Sequence, residues 1–518
     1  MPGTDRSAVI FGNTLDAADY RSACKNKAGY VRRFGDDTSL PYPLRAVEAP
    51  VVGPILGVQQ LLGAEAEAGD DAGWRERGSA SDSSERSRQA MGPAAEDTAS
   101  PITAENPVIV GTIRMGFGHY RIAMAMASAA HALGCTPYWL DLMGFPDTTC
   151  TKIIAAQNDL YSLGSRMSQK SRLFNAAVWE PMNYEGFRRL SYNASDQKAA
   201  ELMVRPFASL PKDVPFIGCH SWPSQAAGHA GMQRVVNAIP DNWPMALHLA
   251  EGAIHTVQTP NAFTGYKMLR GFAKGKILKP MPEGSLFYTG HYADHELVAN
   301  IEADGTSRRA RRDTGEPLRL LLTVGGAGAQ ANLFRSIIRH VVKLVEAGRA
   351  TLWVNVGDHK NVWEGLVADI PALSGATCHF DDFPGTEAFA RAALTGPAEG
   401  IHAFAFDDIF AAVYSTNVLM RACDALITKP SELAFYPVPK IMIQRVGGHE
   451  RWGAVRAAEV GDGTYELDSV REICGCIDLM AESPELICRM CDSIEVAKAA
   501  GISDGAYHVV KLALGQEI

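Results

Sequence analysis

Two doubly wound α/β domains facing one another are the fold class this sequence predicts, on three observations. Residues 107–134 and 318–348 each read as a strand, a glycine-rich turn and a helix. From Asn106 onward, strand-like apolar runs alternate with helix-like stretches. The chain has 518 residues, enough for two domains with sizeable cores.

Residues 1–62 read as an N-terminal extension in which Ala8 to Gly12 is the strand-like run. Val51 to Leu62 is apolar but broken by Gly53, Pro54 and Gly57. That fits either a segment packed on the main body or one lying in a membrane interface. Residues 63–105 are rich in Ala, Ser, Gly and acids, with Trp74 the one aromatic. Such a stretch cannot bury enough surface to offset the entropy of ordering, and it reads as a disordered linker. The folded body is then expected to begin near Asn106, with a first domain over 106–300.

In that domain Val108 to Ile113 reads as a buried strand, Gly116 and Gly118 as the turn, and Arg121 to Leu133 as a helix capped by Gly134. Such a unit sets backbone N–H groups and a helix N-terminus at the carboxyl edge of a sheet, a place suited to anions. His119 lies at that turn, within reach of a bound hydroxyl. Tyr138 to Leu142 and Pro215 to Cys219 are the next strands. Between them, residues 151–210 are rich in helix formers and hold Trp179, Tyr184, Phe187, Arg188 and Arg189. These fit either a membrane-contacting surface or a core with a solvated face. His220, Trp222, His229 and Trp243 cluster beyond the strand. His220, His229, His248 and His255 lack the H-E-x-x-H spacing, so no metal site is read.

Residues 301–317 read as an inter-domain linker. Their Arg308, Arg309, Arg311 and Arg312 fit solvated positions or a patch for phosphate or lipid headgroups. The second domain is expected over 318–518, its last helices crossing back to the first. Leu320 to Val324 is its opening strand. Gly325, Gly326, Ala327, Gly328 and Ala329 form the turn, and Ala331 to Ala347 the helix, capped by Gly348. Further strands are Thr351 to Val356, Ala425 to Thr428 and Lys440 to Ile443. The turn lets N–H groups approach phosphate oxygens directly, and it lacks the Gly-Lys-Ser/Thr of a Walker A loop. After the strand ending at Thr428 come Lys429, suited to a diphosphate, then Ser431 and Glu432. The Glu432 carboxylate fits a ribose diol or compensation of a helix N-terminus. Gly447 to Trp452 is a polar loop at another strand end. Asp381–Asp382 and Asp407–Asp408 read as solvated ends of strands or helices.

Lys and Arg number 49 against 58 Asp and Glu, so the net charge is 49 − 58 = −9. That excludes a global attraction to nucleic acid. The 10 cysteines are scattered and read as reduced thiols. No secretory signal is visible and no apolar run approaches the ~20 residues of a membrane span, which together read as a cytoplasmic protein.

Taken together, residues 106–470 resemble glycosyltransferases of the GT-B fold. More narrowly, they resemble the family of monogalactosyldiacylglycerol synthases, processive diacylglycerol glucosyltransferases and the peptidoglycan N-acetylglucosaminyltransferase. Gly116-Phe117-Gly118-His119 is similar to that family's G-x-G-H turn, and Phe287 to Tyr292 to its T-G-x-P segment, with His291 where proline is usual. Leu322 to Gly328 resembles its donor-domain glycine motif, Asp424 to Lys429 its D-x-x-I-T-K strand, and Gly448-His449-Glu450 its G-Q-E loop. Two departures stand out: the Lys429–Glu432 connection is shorter than the family's, and Gly218-Cys219-His220 falls where many members have Thr-Asp.

The resemblance implies inverting transfer of a sugar from a nucleotide sugar, UDP-linked by preference, to a hydroxyl acceptor, with no cofactor and no metal. His119 would be the base. Gly325, Gly326, Ala327, Gly328, Lys429, Ser431, Glu432, Gly448, His449 and Glu450 would hold the donor. Gly116, Gly118 and His220 would face the acceptor, which is lipid-linked in many relatives; that would place the protein at the inner face of the membrane. Rival expectations are a nucleotide-sugar epimerase of the same fold and a non-catalytic nucleotide-sugar-binding protein.

Overall fold

The computed structural model describes residues 5–64, 100–171, 175–179, 181–324 and 330–518. Most of the expected disordered linker (residues 65–99) lies outside the described residues, and so do Gly325, Gly326, Ala327, Gly328 and Ala329.

The chain opens with a hairpin, β1 (Val9–Ile10) and β2 (Asn13–Thr14), followed by the Ala17–Phe34 helix. Eight strands then build the first large sheet: β3 (Leu44–Glu48), β4 (Gln59–Gly63), β5 (Pro107–Thr112), β6 (Thr136–Asp141), β7 (Phe216–Gly218), β8 (Val235–Ala238), β9 (Ile254–Val257) and β10 (Leu286–Tyr288). Their order is β10-β9-β8-β7-β5-β6-β4-β3, parallel except for the β3–β4 pair. The second sheet holds β11 (Leu318–Thr323), β12 (Ala350–Asn355), β13 (Thr377–Phe380), β14 (Ile401–Ala405), β15 (Ala425–Thr428) and β16 (Lys440–Met442). It is wholly parallel in the order β13-β14-β12-β11-β15-β16. The protein is therefore α/β, with two Rossmann-like domains in the GT-B manner.

Each sheet reverses its winding beside its opening strand. β5 lies between β6 and β7, and β11 between β12 and β15. Crevices at such switch points, outside the carboxyl ends of the strands, are where α/β sheets bind ligands. The helix after β5 spans Gly118–Ala132 and is buried along nearly its whole length, as its Ala- and Met-rich sequence allows. It stops because Gly134 takes a left-handed φ of 79° and Cys135 N–H returns to Ala130 O at 2.9 Å.

Two expectations are corrected, and a choice between two readings is decided. The folded body does not begin near Asn106, because β3 and β4 from the N-terminal extension join the first sheet, β4 pairing in parallel with β6. Val52, Val58 and Leu61 are buried there, so Val51 to Leu62 packs on the body and does not lie in a membrane interface. Residues 301–317 are not a solvated linker or an anion patch. They carry a helix, Ile301–Asp313, whose Arg308, Arg311 and Arg312 are buried. Arg308 donates to the carbonyls of Cys423 and Met420, and Arg311 donates twice to Asp424. The guanidinium groups serve the start of β15.

The domains share one apolar core. Val110 and Trp139 of the first sheet belong to the same buried cluster as Leu321, Trp353 and Phe404 of the second, joined through the Ile409–Ala422 helix. The Gly505–Ala513 helix near the C-terminus returns to the first domain and adds Ala506, Val509, Val510 and Ala513 to that cluster. Full burial of each aliphatic side chain contributes roughly 1.5–3 kcal/mol. Within this interface Arg121 donates to Thr416 Oγ1 at 3.2 Å and Asn417 Oδ1 at 3.3 Å, so a buried charge also spans it.

Candidate functional site

The chain leaves β5 through Gly116, which has a φ of 85°, and enters its helix at Gly118 with His119 in the first turn. His119 Nδ1 lies 3.1 Å from the carbonyl oxygen of Cys219, just past β7. A carbonyl only accepts, so Nδ1 carries the proton and Nε2 keeps its lone pair. Burial lowers the His119 pKa below 6.5, against the opposing pull of the Glu432 and Asp241 carboxylates. The ring is thus neutral at neutral pH.

His220 stands edge-on to it, ring centroids 4.7 Å apart. It caps the Ser221–His229 helix, Nδ1 accepting from Trp222 N–H at 3.1 Å, and its pKa falls well below the usual histidine value through burial and its histidine neighbours. His220 is therefore a neutral cap behind His119. His229 meets Gln197, His248 meets Asp241 and His255 meets Ala250, so these four histidines have separate partners.

From the second domain, β15 delivers Lys429, and a 3₁₀ turn at Glu432–Phe435 follows Ser431. The Glu432 carboxylate lies against the N-terminal turn of the first-domain helix so closely that a Cβ at Gly118 would overlap it. Glycine at 118 is what lets the carboxylate approach the helix end, where the backbone dipole favours negative charge. His119 and Glu432, brought from opposite domains, thus share one crevice.

Beyond β16, Gly448–Glu450 forms another 3₁₀ turn. Glu450 accepts from Val446 N–H at 2.7 Å and Gly447 N–H at 3.1 Å, and pairs with Lys429. Burial opposes the Lys429 charge, but Glu450 and Glu432 outweigh it and hold its pKa above the ordinary lysine value. Both Lys429 and Glu450 are ionised at neutral pH.

A second set of contacts closes the crevice. Trp243 of the first domain stacks on Trp452 of the second, centroids 5.2 Å apart and planes 7° from parallel. Asn242 Nδ2 donates to Trp452 O at 3.0 Å. His291 also bridges the domains. Its Nδ1 lies 3.1 Å from Phe435 O, and Arg456 Nε donates to its Nε2 at 3.0 Å. Imidazole supplies one donor and one acceptor in the position where relatives of the resembled family carry proline.

Some residues at the crevice escaped sequence reasoning. Asp241 follows β8, pairs with His248 at 3.1 Å and lies in the electrostatic reach of His449 and His119. Tyr161, on the Thr149–Lys170 helix, lies in the reach of Glu450, Lys429 and Asp241. The one sequence signal for Asp241 is its place a few residues beyond the carboxyl end of a short apolar strand.

Two members of the aromatic and basic group in 151–195 are packed inward. Trp179 is buried, and Arg188 sits over the Trp243 ring at 4.6 Å and donates to Arg270 O. The Tyr184 side chain lies outside the described residues. No helix among the described residues is long and apolar enough to cross a membrane.

The family model described as Domain of unknown function (DUF6937) matches residues 9–268, and a second, Domain of unknown function (DUF6938), matches residues 281–514. No curated protein matches the sequence. Among solved structures, UDP-GlcNAc 2-epimerase from Neisseria meningitidis, bound to UDP-GlcNAc, is 12% identical, with 79% of this chain and 100% of that one covered and a TM-score of 0.43. The α,α-trehalose 6-phosphate synthase from Burkholderia multivorans is 13% identical, with 79% and 98% covered and a TM-score of 0.40.

Proposed function

The chain belongs to the DUF6937 family, and we propose that it is a nucleotide-sugar enzyme, an inverting glycosyltransferase that moves a sugar from a UDP-sugar to a hydroxyl. The observation that carries this reading is the His119 imidazole. Its proton is fixed on Nδ1 by Cys219 O, its Nε2 is left basic, and it shares a crevice with Glu432 of the other domain. In the reaction the acceptor O–H gives its proton to His119 Nε2 as the acceptor oxygen attacks the anomeric carbon. The bond from that carbon to phosphate breaks, and its electron pair leaves on the nucleoside diphosphate. Lys429, Ser431 and the backbone N–H groups of Gly325, Gly326, Ala327 and Gly328 would stabilise that leaving charge. Glu432 takes the ribose hydroxyls, and Gly448, His449 and Glu450 border the sugar. No cofactor enters this scheme.

A lipid-linked acceptor is supported by Leu160, Leu163 and Met167, exposed on the helix that carries Tyr161 to the crevice. Flotation with anionic vesicles checks that attribute. A second reading, isomerisation of a bound nucleotide sugar without any acceptor, is favoured by the Trp243–Trp452 stack and the buried Arg121 contacts that close the domains on each other.

The test incubates the protein with UDP-glucose, UDP-galactose and UDP-N-acetylglucosamine in the presence of a lipid extract and separates the nucleotides. Released UDP that falls about 100-fold in His119→Gln supports transfer. An isomerised nucleotide sugar without UDP supports the second reading. Binding without either product points to a non-catalytic protein.

A further inference from the structure

We propose that Asp241 is a specificity residue whose carboxylate grips the hydroxyls of the donor's sugar, selecting neutral sugars over uronic acids. The assignment rests on the nucleotide-sugar reading above.

Asp241 stands in the loop that leaves β8, and a chain of hydrogen bonds positions it. Met245 N–H donates to Tyr266 Oη at 3.2 Å. Tyr266 Oη and His248 Nδ1 are 2.7 Å apart, and His248 Nε2 is 3.1 Å from Asp241 Oδ2. The ionised carboxylate only accepts, so His248 Nε2 carries a proton toward it, while Nδ1 is tied to the tyrosine hydroxyl. The polar atoms of Tyr266 and His248 are all matched within the chain. His248 and Tyr266 are buried at 3% and 0% exposure, whereas the Asp241 side chain is 27% exposed. Two buried polar side chains thus support one carboxylate that reaches solvent. Its Oδ1 meets no donor among the described residues.

The loop is also fixed from across the crevice. Asn242 and Trp243, next in sequence, are held by Trp452 through the hydrogen bond and the ring stack. Asp241 therefore stands at the crevice, next to the two residues that Trp452 holds, and it is within the electrostatic influence of both His119 and His449. On the nucleotide-sugar reading, a donor sugar that reaches the base enters this crevice, where the Asp241 carboxylate stands. An acceptor-only oxygen there takes hydroxyl donors and repels a second carboxylate or a phosphate.

The test measures affinities of UDP, UDP-glucose, UDP-N-acetylglucosamine and UDP-glucuronic acid by calorimetric titration of the full chain. The wild type is expected to bind the neutral UDP-sugars at least about 10-fold more tightly than UDP-glucuronic acid. Asp241→Asn should lose about 10-fold or more for the neutral sugars, the scale of a lost charged hydrogen bond. Its UDP affinity should stay level or rise, because the substitution removes a negative charge from the crevice. Discrimination against the uronic acid should shrink. Tyr266→Phe keeps the carboxylate but loosens its support, and it should show a smaller loss in the same direction even if Asp241→Asn folds poorly. Equal losses for UDP and UDP-sugar, or none in either variant, would overturn the assignment. If the wild type bound UDP but all its sugars equally, the assignment would fail while the nucleotide reading stood. Failure to bind UDP at all would remove both.

Discussion

Removing the Asp424 carboxylate should unfold the protein far more easily than any surface change. Asp424 is fully buried. Its Oδ1 accepts from Arg311 Nε at 2.9 Å and Nη2 at 2.6 Å, and its Oδ2 accepts from the Arg319 backbone N–H at 3.0 Å. Asp424→Ala leaves the Arg311 guanidinium, whose side chain is 6% exposed, without its counter-charge, and a buried N–H without an acceptor. Breaking a buried pair from one side costs about 3–5 kcal/mol. For a folding unit of roughly 200 residues each kcal/mol lowers Tm by about 2–4 °C, so the loss should be on the order of 10 °C. Differential scanning calorimetry of the full chain reads it. The double change Asp424→Leu with Arg311→Met should recover part of the loss, since it removes the Arg311 charge but still leaves the Arg319 N–H and the buried Arg312 without their acceptor. A fall of less than about 2 °C in Asp424→Ala would refute the view that the Ile301–Asp313 helix is anchored through this carboxylate.

Other outcomes follow from the same geometry. Because burial lowers the His119 pKa, kcat/KM should hold down to about 6.5 and decline only below it as the base protonates. Glu432→Gln removes a carboxylate that favours the protonated ring, so the inflection in a pH–rate profile should move lower still. Gly118→Ala adds a Cβ that displaces Glu432, while alanine is the better helix former by about 1 kcal/mol. Thermal stability should change little while turnover falls about 10-fold or more, a step in transition-state free energy of about 1.4 kcal/mol. Burial depresses His255 to about 4, so the unfolded chain binds a proton that the folded one refuses. Its contribution is complete above about 6.5 and is lost as pH falls to 4, roughly 3 kcal/mol in all. Urea unfolding across that range should show the slope, and His255→Gln should flatten it.

The Rossmann-like framework was legible because its signals are local. Val108 to Ile113 and Leu320 to Val324 are unbroken apolar runs, followed by glycines and by helices that end at glycine. Sheet β5, β11, β15 and β16 sit within two residues of the expected bounds. Strands β3 and β4 were not legible, because Gly53, Pro54 and Gly57 break the pattern before β4, and its partner β6 is far along the chain. Charge misled at Arg308 to Arg312. Four arginines within five residues read as solvated until the fold brings Asp424 and the Cys423 carbonyl onto them. At the candidate site, His119 and Glu432 were singled out by glycine and strand-end context, and the fold brings the two side chains to one crevice. Asp241 carried no motif, and its significance depends on His248, Tyr266 and Trp452, which only folding assembles.

The most direct test of the crevice as a nucleotide-sugar site follows the histidine ring protons by NMR while UDP-N-acetylglucosamine is added, with His119→Gln assigning the key signal. The His119 and His449 resonances should shift saturably together, whereas His340, paired with Asp478 at 2.7 Å away from the crevice, should stay still. Saturable binding that leaves the His119 signal unmoved would place the ligand elsewhere and contradict the assignment of the base.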